Sequence, residues 1–146
     1  MTVSIQSSAF DMGAEVRRFA NSVSGAGAIV TFSGLVRDDG GKLAAMEIEH
    51  YPAMTERAVE AIRMEAMERW ALLGAVIVHR YGRLEPGEQI MMVATAARHR
   101  ADAFAAAEFL MDYLKSRAPF WKKEFGPDGE KWVAARDEDE EALARW

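Results

Sequence analysis

The sequence predicts an α+β protein in which a mainly antiparallel sheet is covered by two long helices, with a small antiparallel β lobe toward the C-terminus. Three observations support this fold class. Helix-periodic segments cover residues 53–70 and 101–117, short β-prone segments surround each of them, and the turn GPDG separates two extended segments after the second helix.

The first half of the chain alternates between strands and a helix. TVSIQ, residues 2–6, is a short strand, and residues 11–22 form a modest helix. Residues 27–37 and 43–51 are both strand-like, and the segment DDGGK between them is rich in turn-forming residues. We therefore predict that these two strands pair as a hairpin.

The two long helices are predicted from apolar residues that recur along one face. In residues 53–70 this face consists of Met54, Ala58, Ile62, Ala66 and Trp70. In residues 101–117 it consists of Phe104, Ala107, Met111 and Leu114. Strands are expected at 74–82 and 90–97. The second helix should end before Pro119, because a proline disfavours helical backbone at the residue before it. The acidic tail should end in a short helix.

Length and composition indicate a single domain over residues 1–146, with an acidic tail at 137–146. Half of the residues are hydrophobic and 28% are charged, as in globular proteins. The N-terminal segment lacks the pattern of a signal peptide, and no apolar segment approaches the roughly 18 residues of a membrane span. We therefore expect a cytoplasmic protein that makes no membrane contact.

The chain contains no cysteine. This excludes disulfides, thiolate nucleophiles, persulfide carriers and cysteine metal ligands. The three histidines show no paired metal-ligand spacing, so we expect neither a metal nor a cofactor. The last ten residues carry −4 of the net charge of −5, which leaves the other 136 residues at −1. Nothing resembles a broad basic face, and nucleic-acid binding is not expected.

The segment DYLKSRAPFWKKEF, residues 112–125, gathers four cations, with the aromatic residues Phe120, Trp121 and Phe125 among them. One interpretation is structural: Lys115 lies in the last turn of a helix, where a cation offsets the helix dipole, and Lys122 and Lys123 are surface charges on an edge strand. The other is an anion site. In an extended strand, alternation places a lysine beside aromatic residues on both faces, and such a lysine either binds an anion or has a lowered pKa.

Two further groups of cations are candidates for anion binding. His99 and Arg100 lie where a strand ends and a helix begins, and backbone N–H groups at a helix N-terminus attract anions. Solvated loop residues are the alternative there. Arg37 ends a strand beside a glycine-rich turn and indicates little by itself. His79 and Arg80 are interpreted as strand-end residues in core or contact positions.

The motifs TFSGLVR, IEHYPAMTE, VIVHRYGRLEPGE, HRADAF, DYLKSRAPFWKKE and KWVAAR occur in the order and spacing of a known family. Together they resemble the large, catalytic subunit of molybdopterin synthase from about residue 27 to the C-terminus. The resemblance implies an α/β-hammerhead fold with an added antiparallel lobe, in a homodimer. Each large subunit would bind one small ubiquitin-like sulfur-carrier subunit, which gives a heterotetramer.

The implied reaction converts cyclic pyranopterin monophosphate (precursor Z) to molybdopterin, in molybdenum cofactor biosynthesis. Two dithiolene sulfurs would arrive as a thiocarboxylate on the C-terminal tail of the small subunit. A sulfurtransferase without cysteine must receive sulfur from elsewhere, which agrees with this donor. A non-catalytic module that binds a ubiquitin-like partner or a pterin is the alternative.

The resemblance also implies roles for individual residues. Lys115 and Lys122 match the two catalytic lysines, which exchange protons or stabilise an anionic intermediate. The matches to substrate-binding positions are Leu35, Val36, Arg37, His99, Arg100, Lys123, Glu124 and Arg136. In the family dimer, the His99–Arg100 pair is expected to reach the neighbouring subunit's pocket. Family members often have lysine where Leu35 stands, and Arg98 occupies a position where a small residue is commoner.

Overall fold

The computed structural model describes residues 2–133 and 137–146. The strands in these residues are β1 (Val3–Gln6), β2 (Ala28–Leu35), β3 (Ala45–His50), β4 (Gly74–Arg80), β5 (Gly82–Leu84), β6 (Gln89–Ala97), β7 (Phe120–Gly126) and β8 (Gly129–Trp132). The helices are α1 (Met12–Ser22), α2 (Met54–Arg69), α3 (Arg100–Ser116) and α4 (Asp137–Leu143). No helix in the described ranges has the length and apolar character needed to cross a bilayer.

The described strands form two four-stranded sheets. The first has the order β1-β4-β6-β2, with β1 parallel to β4 and the other neighbours antiparallel. The second has the order β5-β3-β7-β8 and is antiparallel throughout. The predicted α+β class is confirmed, and the predicted hairpin around GPDG is present as β7 and β8.

The first sheet is covered on both faces. On one face, Phe19 of α1 packs in a cluster with Met92 and Ala94 of β6. On the other face, Val59 of α2 and Leu110 of α3 belong to a larger cluster that includes the alternate β6 residues. Because β6 lies between the two clusters, every one of its residues after Gln89 is buried.

The predicted hairpin between residues 27–37 and 43–51 is wrong. β2 pairs with β6 in the first sheet, and β3 pairs with β5 and β7 in the second. The intervening turn carries the chain from one sheet to the other, and β2 continues its long-range pairing through the bond from the N–H of Val36 to the carbonyl of Glu88, 2.9 Å. Sequential strands usually pair, but here β2 pairs with β6, a central strand whose residues after Gln89 are all buried.

The predicted strand at 74–82 also divides between the two sheets. β4 ends at Arg80 in the first sheet, and β5 begins at Gly82 in the second. Gly82 has φ 92°, in the left-handed region that a glycine adopts without steric cost. At this change of direction the chain passes from the first sheet to the second.

Both long helices occur at the predicted places, but three residues lie on faces other than those expected. Phe104 was predicted on the buried side of α3 and is 60% exposed, while the adjacent Ala103 is fully buried. Arg63 falls outside the apolar face predicted for residues 53–70 and is therefore expected on the solvent side of α2, but it is buried, where it pairs with Glu60 at 2.7 Å and donates to the Ala75 carbonyl. Met54, predicted on the apolar stripe, is exposed. Hydrophobic periodicity does not detect a buried cation whose partners satisfy it.

Candidate active site

A pocket of about 420 Å³ lies where the C-terminal end of α3 meets β7, between the two sheets. Leu35 and Ile90 reach it from the first sheet and Met46 reaches it from the second. The complete lining is Leu35, Arg37, Asp39, Met46, Ile90, Leu114, Lys115, Ser116, Ala118, Phe120, Lys122, Glu124, Val133 and Asp139.

Pro119 sets the geometry of the two lysines in this pocket. α3 ends at Ser116, and the next two backbone N–H groups both donate to the carbonyl of Tyr113, at 2.8 and 3.1 Å. A proline cannot continue this pattern, and β7 begins immediately after it. Lys115 therefore enters the pocket from the last turn of a helix, whereas Lys122 enters it from a strand.

Strand alternation separates Lys122 from Lys123. Phe120, Lys122 and Glu124 line the pocket. Lys123 points to the other face of β7, where its ammonium lies 4.5 Å from the centroid of the Trp132 ring and 3.7 Å from a carboxylate oxygen of Glu130. Of the two adjacent lysines, Lys122 therefore lies on the pocket side of β7 and Lys123 lies on the opposite side.

Lys122 has the most perturbed ammonium group in the pocket. Burial, together with the positive charge of Lys115, lowers the pKa of Lys122 from 10.5 to about 8, although Asp139 and Glu124 oppose the change. A lysine with a pKa near neutrality exchanges protons at physiological pH, which an ordinary surface lysine does not. The structural interpretation of Lys122 as a solvated edge-strand charge is therefore not supported.

The acidic tail contributes to the same pocket. Asp139 of α4 lines it, and α4 is held near α3 by ion pairs between Arg117 and Glu140, at 3.4 Å, and between Arg145 and Asp112, at 2.9 Å. The composition of the tail predicts net negative charge and a short helix, but no contact with the pocket. In the structure, a carboxylate from the tail lies within electrostatic range of Lys122.

The structure brings together five of the predicted site residues: Leu35, Arg37, Lys115, Lys122 and Glu124. Val36 has a different place, since only 3% of it is exposed and it belongs to the main core cluster. Arg136 lies outside the described residues. The roles predicted for these residues remain predictions.

His99 and Arg100 are exposed at the opposite end of α3 from Lys115. Because α3 has 17 residues, the two ends are about 25 Å apart. The pair therefore does not reach the pocket of its own chain. Its predicted role requires a neighbouring subunit, as the family resemblance implies.

Two polar residues at the site were missed or left unassigned by the sequence analysis. His79 of β4 is buried, and its ring stacks on Phe120 with centroids 3.8 Å apart and planes 13° from parallel. The hydroxyl of Ser116, also at the pocket, is buried and has no hydrogen-bond partner among the described residues. The sequence signal for His79 was a histidine near the end of an apolar strand. The sequence could not place it at the pocket, because its neighbour Phe120 comes from a distant part of the chain.

Within residues 2–133 and 137–146, no three histidine, aspartate or glutamate side chains are grouped so that they could hold a metal ion. The polar side chains that line the pocket are cations, carboxylates and the hydroxyl of Ser116.

Comparisons with known proteins agree with the motifs. Residues 5–117 match the family model described as MoaE protein. A relative from Cereibacter sphaeroides, named molybdopterin synthase catalytic subunit, is 66% identical over 146 residues, with 100% of both chains covered. The solved structure of a molybdopterin biosynthesis MoaE protein from Burkholderia ambifaria MC40-6 has a TM-score of 0.86 and 56% identity, covering 99% of this chain and 97% of that one.

A more distantly related structure has the same fold. Molybdopterin synthase from Staphylococcus aureus superposes with a TM-score of 0.80 at 32% identity, covering 90% of this chain and 96% of that one. The family indicated by the sequence motifs is thus confirmed by an independent family model and by close relatives over the full chain. The chain belongs to the MoaE protein family.

Proposed function

We propose that this chain is the catalytic subunit of a molybdopterin synthase, which inserts two dithiolene sulfurs into cyclic pyranopterin monophosphate. The observation that carries the proposal is the pocket in which Lys115 and Lys122 meet from two elements, with the pKa of Lys122 lowered to about 8. The names of the close relatives support the same reaction.

The chemistry of the pocket suits this reaction. The substrate is a phosphate ester, and Arg37 with the two lysines provides cations for its negative charge. Each sulfur insertion exchanges protons at the reacting centre. Lys122 can hold or release a proton near neutral pH, and the Lys115 ammonium can stabilise negative charge that develops beside it.

The sulfur donor must be another molecule, because the chain has no cysteine. The proposal assigns this role to a small ubiquitin-like subunit with a C-terminal thiocarboxylate, whose tail enters the pocket. The complex of two subunits of the molybdopterin-converting factor from Helicobacter pylori has the same fold, with a TM-score of 0.76 at 19% identity.

The proposal includes a homodimer of this chain within a heterotetramer. Exposed apolar side chains on the edge strand β2 and on α3 support it, since Phe32 is 42% exposed and Phe104 is 60% exposed. In such a dimer, His99 and Arg100 would complete the neighbouring pocket. A single domain over residues 1–146, the α/β-hammerhead description of its fold and a cytoplasmic location are parts of the same proposal.

The test is reconstitution. The purified chain is mixed with thiocarboxylated small subunit and cyclic pyranopterin monophosphate, and dithiolene product is measured together with complex formation. The proposal requires product from the complete mixture and none when the thiocarboxylate is replaced by a carboxylate. A folded protein that binds its partner without forming product would instead be a non-catalytic binding module.

A further inference from the structure

His79 lies behind the two lysines. It belongs to β4, where it pairs in register with Met91 of β6, and only 3% of it is exposed. Burying a histidine costs free energy of folding unless its ring nitrogens form hydrogen bonds. The partners of its two ring nitrogens therefore indicate the role of His79.

The Nδ1 atom of His79 is committed to the backbone. It lies 2.8 Å from the carbonyl oxygen of Arg80, which can only accept, so Nδ1 carries the proton. Burial, opposed by the Arg80 carbonyl and assisted by the charges of Lys122, Lys115 and His50, lowers the pKa of His79 to about 3. The ring is thus neutral at physiological pH, and Nε2 carries a lone pair that can accept a hydrogen bond.

A second, smaller cavity joins this histidine to the lysine pair. It has a volume of about 60 Å³, and His79, Lys115 and Lys122 are its titratable lining residues. No direct hydrogen bond from either ammonium to Nε2 occurs among the described residues, so the groups are separated by this space. A cavity of this size holds a water molecule when two or more polar groups face it, as they do here.

We propose that His79 is a positioning residue for the lysine pair: its Nε2 accepts, through a water molecule in the small cavity, a hydrogen bond from the Lys122 ammonium. This deepens the proposed function and rests on it only in assigning the reaction to the lysines. A neutral acceptor orients the ammonium toward the pocket. A carboxylate in the same place would add a negative charge and hold the lysine protonated.

The charged and titratable groups around His79 come from three elements. Lys122 belongs to β7, Lys115 to α3 and His50 to β3. His50 has its own partner, because its Nδ1 lies 3.2 Å from the hydroxyl of Thr55. Lys122 is the group that both lines the cavity and titrates closest to neutrality.

The test is the pKa of Lys122, measured by ¹⁵N NMR of the ammonium groups in the full chain. His79→Asn retains a polar atom near the position of Nδ1 and loses the distal acceptor, whereas His79→Gln places an amide oxygen near the position of Nε2. We expect His79→Asn to lower the pKa of Lys122 to about 7, because a hydrogen bond to a charged group is worth roughly one pH unit. His79→Gln should keep the wild-type value. Equal values in all three proteins would overturn the proposal.

A second readout needs no variant. The ¹⁵N shifts of the His79 ring should show the neutral form with the proton on Nδ1 between pH 6 and 8, as expected for a buried ring bonded to a carbonyl. A proton on Nε2, or a charged ring, would overturn the proposal. Both readouts are independent of turnover, so failure of the reconstituted reaction contradicts the proposed function without deciding the role of His79. If the reaction proceeds, His79→Asn should lower kcat about tenfold and His79→Gln should stay within about twofold of the wild type.

Discussion

The positive charge of Lys115 lowers the pKa of Lys122, although one residue ends α3 and the other lies within β7. Two ammonium groups close enough to repel each other are unfavourable unless an anion binds between them or one of them loses its proton. The pocket that they share therefore favours an anionic ligand. Burial of Lys122, together with this repulsion, supplies a base near neutral pH, with measurable consequences for stability and for turnover.

Replacing Lys122 by methionine should stabilise the protein and abolish its activity. A lysine whose pKa is lower in the folded than in the unfolded state binds fewer protons when folded, so its contribution to stability rises as pH increases from 8 toward 10.5. At pH 7 the buried charge is a cost, and Lys122→Met should raise the free energy of unfolding by about 1–3 kcal/mol. Urea unfolding at pH 7 and pH 10 measures this, and the advantage of the variant should shrink at the higher pH.

Lys123→Met is the matched control for that variant. Lys123 belongs to the same strand but contacts Trp132 and Glu130 on the other face. Its loss should lower stability by less than about 1 kcal/mol, because exposed ion pairs and cation–π contacts contribute little. A larger gain in stability from Lys123→Met than from Lys122→Met would contradict the assignment of the pocket face.

Two substitutions should move the pKa of Lys122 in opposite directions. Lys115→Gln removes a like charge and should raise it, whereas Asp139→Asn removes an opposite charge and should lower it. The measurement is a ¹⁵N NMR titration of the Lys122 ammonium in each variant. Shifts of the same sign in both would show that these two charges do not control the group.

His79 should make the protein sensitive to acid. Its pKa is about 3 in the folded protein and near the ordinary 6.5 in the unfolded chain, so unfolding takes up a proton between these values. Stability should therefore fall as pH decreases below 6.5, by at most about 1.4 kcal/mol per pH unit from this residue. His79→Gln cannot titrate and should flatten the curve. An unchanged slope would show that the histidine is already protonated in the folded protein.

Arg37→Ala should weaken substrate binding more than it slows the reaction. Arg37 lines the pocket, but proton exchange is assigned to the two lysines and not to Arg37. We expect KM to rise about tenfold while kcat changes less than about threefold. Arg18→Ala is the control, because Arg18 lies on the exposed surface of α1, where it pairs with Glu15. A fall in kcat with constant KM would remove Arg37 from the binding role.

Mixed dimers test whether His99 and Arg100 serve the neighbouring pocket. One protomer carries Lys115→Ala, and the other carries His99→Ala together with Arg100→Ala; each homodimer should be inactive. After subunit exchange, half of the dimers are mixed and each contains one intact pocket, so about a quarter of the wild-type activity should return. No recovery would mean that the pair acts within its own chain, and an active homodimer of the His99→Ala, Arg100→Ala protein would mean that the pair does not act.

Local sequence signals predicted much of what positions the site. Pro119 marked the end of α3, GPDG marked the turn between β7 and β8, and alternation along β7 showed that a lysine must lie beside aromatic residues on each face. These features depend on neighbouring residues, and backbone chemistry decides them. Which face of β7 meets the pocket depends on packing between the two sheets.

Non-local contacts account for the errors. The turn after β2 looked like that of a hairpin, but pairing of β2 with β6 extends over residues 28–35 and decided the topology. His79 and Asp139 are separated from Lys122 by 43 and 17 residues, so no short motif could place them beside it. The pKa of Lys122 depends on burial and on charges from three elements, and therefore only the folded chain reveals it.

The most direct test of this account is single-turnover dithiolene formation by wild type, Lys122→Met and Lys123→Met, each mixed with thiocarboxylated small subunit and cyclic pyranopterin monophosphate. Wild type and Lys123→Met should form product at rates within about threefold of each other, while Lys122→Met should be slower by about 100-fold or more although it remains folded and bound to the small subunit. Near-wild-type product formation by Lys122→Met would contradict the claim that sulfur transfer takes place in this pocket and depends on the lowered pKa of Lys122.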